Sequence, residues 1–153
     1  MLAAQLPLFA QRWRLHRSSY RPAGEPIDAR RYFVGLIEER DAREFVCTHH
    51  YSMSYPVARV RVGLFRMSRT SKADLVGVAV FSVPSNPLTL KHRLGTDDGV
   101  ELGRFVLVDD VPANGETWFL RRAFRVLRSE NLDIRGVLAF SDPLPRMNTA
   151  GER

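Results

Sequence analysis

ELGRFVLVDDVPANGETWFL, residues 101–120, is the stretch that decides the fold of this chain. Its first eight residues, 101–108, carry the apolar and β-branched side chains of a strand. Residues 109–116 then gather Asp, Pro, Asn and Gly, which favour turns. From Thr117 the period becomes helical: over 117–130, Phe119, Leu120, Ala123, Phe124, Val126 and Leu127 cover one arc. Arg121, Arg122, Arg125 and Arg128 cover the opposite arc, with Trp118 among them. Residues 134–140 (IRGVLAF) read as a strand again. Strand, helix and strand at this spacing predict a parallel β–α–β unit.

Working towards the N-terminus, 75–83 (LVGVAVFSV) is almost continuously apolar, as a strand buried on both faces must be. Residues 57–66 alternate, with Ala58, Val60, Val62 and Leu64 on one side and Arg59 and Arg61 on the other. The polar residues 68–74 between these two runs suit a hairpin loop, and 85–99 reads as a loop with room for one short helical turn. Residues 38–50 predict a helix, acidic at its start, with Ala42, Phe45, Val46 and His49 at spacings of three and four. A strand over 31–37 precedes it. The fold class expected is α+β, a mostly antiparallel sheet with one parallel β–α–β unit. A domain over 31–153 follows a basic arm over 1–30.

The 153 residues suffice for one domain. A hydrophobic content of 44% with 26% charged residues is that of a packed domain and excludes a disordered chain. No apolar run is long enough to cross a bilayer. The single cysteine, Cys47, excludes an internal disulfide and a multi-cysteine zinc site, and reads better as a small apolar residue than as a nucleophile. A cytoplasmic location is the expectation.

Net charge is +6, and arginine supplies 21 of the 23 basic residues. Residues 1–31 hold six of these, Arg12, Arg14, Arg17, Arg21, Arg30 and Arg31, against Glu25 and Asp28. Arginine interleaved with Trp13 and Tyr20 suits a nucleic-acid arm, because guanidinium pairs with phosphate and flat rings stack on bases. The same segment suits a solvated leader draped over the domain. Arg121, Arg125 and Arg128, spaced by four and three, form a stripe fit for a phosphate backbone or simply a solvated helix face.

Three clusters could carry chemistry. His49 and His50, adjacent at the end of the 38–50 helix, diverge by about 100° and cannot jointly chelate one metal from a regular turn. If one packs inward, the other is available as a base, with Tyr51 as a proton donor; one core and one exposed histidine is the plainer alternative. Glu101 and Arg104 point to opposite faces of a strand unless Gly103 makes a bulge. Ser141 and Asp142 follow the last strand, where ligands gather in open α/β units, although a turn before Pro143 explains them equally. The 111–117 junction (VPANGET) presents backbone amides and a helix dipole to an anion, or is a plain βα turn.

The order of elements and the 101–120 junction resemble the GNAT (N-acyltransferase) fold, whose loop amides hold the pyrophosphate of coenzyme A. That resemblance implies acetyl-CoA or another acyl-CoA as cofactor, held by Val108, Asn114, Gly115, Glu116 and Thr117. A closer resemblance is to the Mom DNA-modification proteins, a phage-type branch of that fold. It is carried by SYRPAGEPID (19–28), HHYSMSYP (49–56), LVGVAVFSVP (75–84), ELGRFVLVDDVPANGETWFL (101–120) and GVLAFSDPLPR (136–146). The resemblance implies transfer of a carbamoylmethyl-type group to the N6 amine of adenine in duplex DNA. It implies His50, Tyr51, Arg104, Ser141 and Asp142 as catalytic residues, and no metal is called for by spacing. Arg12, Arg14, Arg17, Arg21, Arg121, Arg125 and Arg128 are the expected DNA contacts. The GNAT fold continues past the 134–140 strand with another helix and further strands, so a C-terminally truncated copy is expected. Two other functions fit the same features: acyl-CoA-dependent transfer to a protein or small-molecule amine, and DNA binding without turnover.

Overall fold

The computed structural model describes residues 9–14, 17–22, 26–69, 72–130 and 133–140. Its centre is β5 (Ala73–Ser82), in which every residue from Val76 to Ser82 is buried. The central position explains that run: β5 is the middle strand of a five-stranded sheet ordered β3 (Tyr32–Leu36), β4 (Ala58–Met67), β5, β6 (Gly99–Leu107), β7 (Gly136–Leu138). The first three pairings, from β3 to β6, are antiparallel, and β6 pairs β7 in parallel. The chain is α+β, as expected, in an arrangement compatible with a GNAT-like fold.

Helices cover both faces. α1 (Glu39–His49) lays Ala42, Phe45 and Val46 on Val78, Val80 and Val106. On the opposite face α3 (Gly115–Glu130) buries Phe119, Ala123 and Leu127 against Val60, Val62, Leu64, Val76, Ala79 and Phe81. From Val78 to Phe81 β5 alternates between these two sets, the period-two geometry of a strand serving two cores, and the irregularity in its pairing with β4 beside Val76 turns that residue to the α3 side. α3 is also the crossover that makes β6 and β7 parallel, so the β–α–β unit read at 101–140 is present.

Two elements lie outside the sequence expectation. α2 (Pro87–Leu94) is a full helix: the Asn86 side chain accepts from the Leu88 amide, Pro87 opens it, and Gly95 closes it in a left-handed conformation (φ 66°). The basic N-terminal segment contains an antiparallel strand pair, β1 (Phe9–Arg14) with β2 (Arg17–Pro22), which the sequence did not predict. A single 3-10 turn at Ala29–Arg31, capped by Asp28, leads into β3.

Candidate functional site

α1 ends where its chemistry begins. The His50 amide still donates to Val46 O (2.8 Å), but its backbone is extended, and the Met53 amide turns back to His50 O (3.1 Å). Met53 takes a positive φ of 49°, a conformation uncommon for a residue with a side chain. This tight turn holds His50 inward at 8% exposure, with the Tyr51 ring 4.3 Å from its own. His49 instead packs on Phe45, ring centroids 4.6 Å apart. The two histidines diverge as expected, and His50 is the buried one.

Arg104 arrives from β6 through the bulge that the sequence allows. Val80 pairs with Arg104 and Phe81 with Leu102, which leaves Gly103 without an opposite residue. Glu101 opposes Ser82, so Glu101 and Arg104 face residues two apart and lie on one side of the strand. A side chain at 103 would stand 2.4 Å from Ser82 Oγ and 3.2 Å from Pro56 Cγ, so the close approach of the 50–57 loop requires glycine there. The Arg104 guanidinium donates from Nε to Ser54 O (2.9 Å), from Nη2 to Ser54 Oγ (2.7 Å) and from Nη1 to Gly103 O.

The gap between Arg104 and His50 is bridged by two serines that sequence reasoning did not select. Ser54 Oγ donates to Ser52 Oγ (3.3 Å), and Ser52 Oγ lies 2.9 Å from His50 Nδ1. The Ser52 backbone N–H also donates to Nδ1 (3.1 Å). His50, Tyr51 and Arg104, separated by about fifty positions in sequence, are thus one connected group. Ser-x-Ser directly after a His-Tyr pair was the available signal. Ser141 and Asp142 lie outside the described residues.

Tyr55, on the same loop, is under the Arg43 guanidinium (4.7 Å to the ring centroid), and its buried hydroxyl has no hydrogen-bond partner among the described residues. Burial pushes its pKa above the usual phenol value, a rise opposed by the nearby Arg61 charge. Trp118 belongs to the opposite core: it packs edge-on to Tyr32 and carries Arg122 3.5 Å from its ring centroid. At the same end of α1, His49, Arg66, Asp74, Val108 and Asp110 line a cleft of about 360 Å³, but Arg66 is already bound to Asp110 (2.6 Å).

The β6–α3 junction departs from expectation. Arg12, expected on DNA, is 2% exposed and reaches from β1 into this loop. Its guanidinium donates to Val108 O (2.8 Å), Val111 O (2.8 Å) and Pro112 O (2.9 Å), and forms a forked ion pair with the Glu116 carboxylate. A phosphate contact is excluded because every direction from this guanidinium meets protein. The five positions expected to hold coenzyme A fare accordingly. The Val108 carbonyl and the Glu116 carboxylate accept from Arg12, and the Val108 amide donates to Val76 O (2.9 Å). The Gly115 amide donates to Pro112 O (2.8 Å), and the space a Cβ would fill is taken by Val111 (2.6 Å), so this glycine serves the loop's own packing. Asn114 Oδ1 is buried without a hydrogen-bond partner among the described residues. Thr117 is exposed. Three carbonyls and a carboxylate converging on one point suit the cation they surround, the Arg12 guanidinium.

Arg121, Arg125 and Arg128 are exposed along α3. Arg14, Arg17 and Arg21 stand in the hairpin, Arg14 opposite Arg17 and Arg21 opposite Ala10, with side chains outside the described set. Among the described residues, no group of three or more His, Cys, Asp or Glu could hold a metal ion, and no helix is long and apolar enough to cross a membrane.

No curated protein matches this chain. A family model does, over residues 31–151, from the first residue before β3 through α1, the serine-bridged loop, the bulged strand and the crossover helix. The chain therefore belongs to the Mom protein family, a family of DNA-modification proteins.

Proposed function

We propose that this protein modifies adenine in duplex DNA, placing an acyl-derived group of the carbamoylmethyl type on the N6 amine. The observation that supports this reading is the joining of His50, Tyr51 and Arg104 into one polar group at the end of α1. The N6 lone pair is delocalised into the purine ring and attacks poorly. In the reaction N6 bonds to the electrophilic carbon of an activated donor, and the leaving group departs with the electrons of the broken bond. N6 then surrenders one proton, so the site needs a proton acceptor and donors for developing negative charge.

The target base must leave the helix stack to be reached, at a cost of a few kcal/mol, and an aromatic neighbour such as Tyr51 recovers part of this by stacking. The exposed arginines of α3 supply sequence-independent attraction to the phosphate backbone. An acyl-CoA serving as donor would be held away from the β6–α3 junction, which Arg12 fills. Mass spectrometry of nucleosides from the DNA of cells expressing this chain tests the reading. A heavier deoxyadenosine present with the native chain and lost with His50→Ala supports it. Its absence with the native chain overturns it.

A further inference from the structure

β3 ends the sheet on one side, and among the described residues no strand pairs with its outer edge. Soluble proteins blunt such edges with charge, proline, a bulge or extreme shortness. The opposite edge, β7, is only three residues long. β3 has none of these devices: it reads YFVGL, and its register with β4 runs unbroken from Tyr32 to Leu36. The Ile37 amide donates to Arg61 O on β4 (3.2 Å), so the backbone groups of Phe33 and Gly35 also face β4. Those of Tyr32, Val34 and Leu36 therefore face outward, ready for another strand.

The side chains say which strand fits. An antiparallel copy of β3 centred on Val34 sets Val34 against Val34, Phe33 against Gly35 and Tyr32 against Leu36. Phe33 is 43% exposed although it stacks on Phe65, ring centroids 4.8 Å apart. Gly35 lies on the same face, and nothing stands within 4 Å of where its Cβ would be. The ring of each copy thus lies over the open glycine of the other, as aromatic rings do for edge glycines. On the other face Leu36, 53% exposed, meets Tyr32 of the second copy. Charge agrees: Arg30 and Arg31 precede β3 and Glu38 and Glu39 follow it, so antiparallel pairing sets basic ends beside acidic ones. Parallel pairing would set like against like.

We infer that β3 is a dimerisation edge, where two copies of this chain join antiparallel about a two-fold axis at Val34 and merge their sheets. The interface goes beyond the DNA-modification reading and does not rest on it. With one strand from each copy, it belongs to the small, reversible class. The pairing uses the β3 edge of both copies, so growth stops at two.

Sedimentation equilibrium of the full chain is the test. The native protein should pass from monomer to dimer as concentration rises, with no larger species. Gly35→Glu should raise the dissociation constant at least about tenfold, because the new carboxylate enters open space in the monomer and an apolar ring in the dimer. Leu36→Pro removes an outward N–H while keeping the β3–β4 ladder, and should weaken the dimer likewise. In Cys47→Ser chains, a mixture of Phe33→Cys and Gly35→Cys should form an inter-chain disulfide that neither chain forms alone. A native chain still monomeric at about 100 μM overturns the inference. So does a dimer that both edge variants leave unchanged. A series of trimers and larger species overturns it as well, since β3 would then pair with the β7 edge of the next copy.

Discussion

Arg12 and Arg104 both cross the fold to reach a loop, and they do opposite work. Arg12 spans 104 residues to Glu116, is buried, and has its guanidinium enclosed by three carbonyls and a carboxylate. Arg104 spans 50 residues to Ser54, remains partly exposed, and donates into hydroxyls that lead to a histidine. The first fastens its loop to the hairpin. The second orders a loop whose far end carries a titratable ring. Sequence gives both the same charge, and only the chemistry of the acceptors separates a staple from a bridge.

The largest expected effect comes from breaking the staple. Arg12→Ala leaves the Glu116 carboxylate and three loop carbonyls without their donor, a loss of about 3 kcal/mol in unfolding free energy. The figure stays at the low end for a broken buried pair because the Glu116 side chain is 29% exposed and can rehydrate. Chemical denaturation measures it, and a change below about 1 kcal/mol would mean the hairpin is not fastened there. Arg12→Lys should not restore stability, since an ammonium cannot serve four acceptors in a planar fork. Replacing Arg12 and Glu116 together by methionine should recover part of the loss.

The exposed arginines provide the contrast. Changing Arg121, Arg125 and Arg128 together to Gln should leave stability within about 0.5 kcal/mol of native. It should also flatten the slope of log K against log salt for duplex DNA by about 2.7, the counterions of three phosphate contacts. An unchanged slope would remove α3 from the DNA-facing surface. Between the two classes stands Gly103→Ala, whose Cβ meets Ser82 Oγ at 2.4 Å within a buried strand pair. A cost of about 1–3 kcal/mol is expected, relieved in part by adding Ser82→Ala. Full native stability of the single variant would show that the bulge can shift.

These contrasts also mark what could be read in advance. The sheet was legible because burial writes itself in period: the unbroken apolar run at 75–83 is the two-faced β5, and the arginine and apolar arcs of 117–130 are the two sides of α3. The bulge at Gly103 followed from two charged residues at the wrong spacing for one face. α2 was legible and undervalued, since Asn86, Pro87 and Gly95 are cap, first-turn and C-terminal signals in the right order. The hairpin was not, because Leu15 and His16 between its strands lack the Gly, Asn or Asp that marks a tight turn. Nor was the burial of Arg12: a guanidinium is solvated by default, and its acceptors are main-chain carbonyls with no trace in sequence. The serine bridge depends on a pairing across fifty residues and appears only once β6 lies beside the α1–β4 loop.

Tyr55 sharpens the comparison at its smallest scale, because its hydroxyl sits by the same loop with no acceptor to donate to among the described residues. A buried polar atom without a partner contributes nothing favourable, so Tyr55→Phe should cost less than about 0.5 kcal/mol at neutral pH. Its effect should appear in alkali. The folded-state pKa of Tyr55 lies above the ordinary phenol value because burial disfavours the phenolate. The folded chain therefore holds this proton more tightly than the unfolded one. That contribution to stability is complete below the ordinary phenol pKa and is lost as pH rises through the raised value. Unfolding measured from neutral pH into alkali should fall less steeply for Tyr55→Phe than for the native protein. Parallel curves would place water or another acceptor on the hydroxyl, and Ser54 and Arg104 would then share their loop with a second polar site.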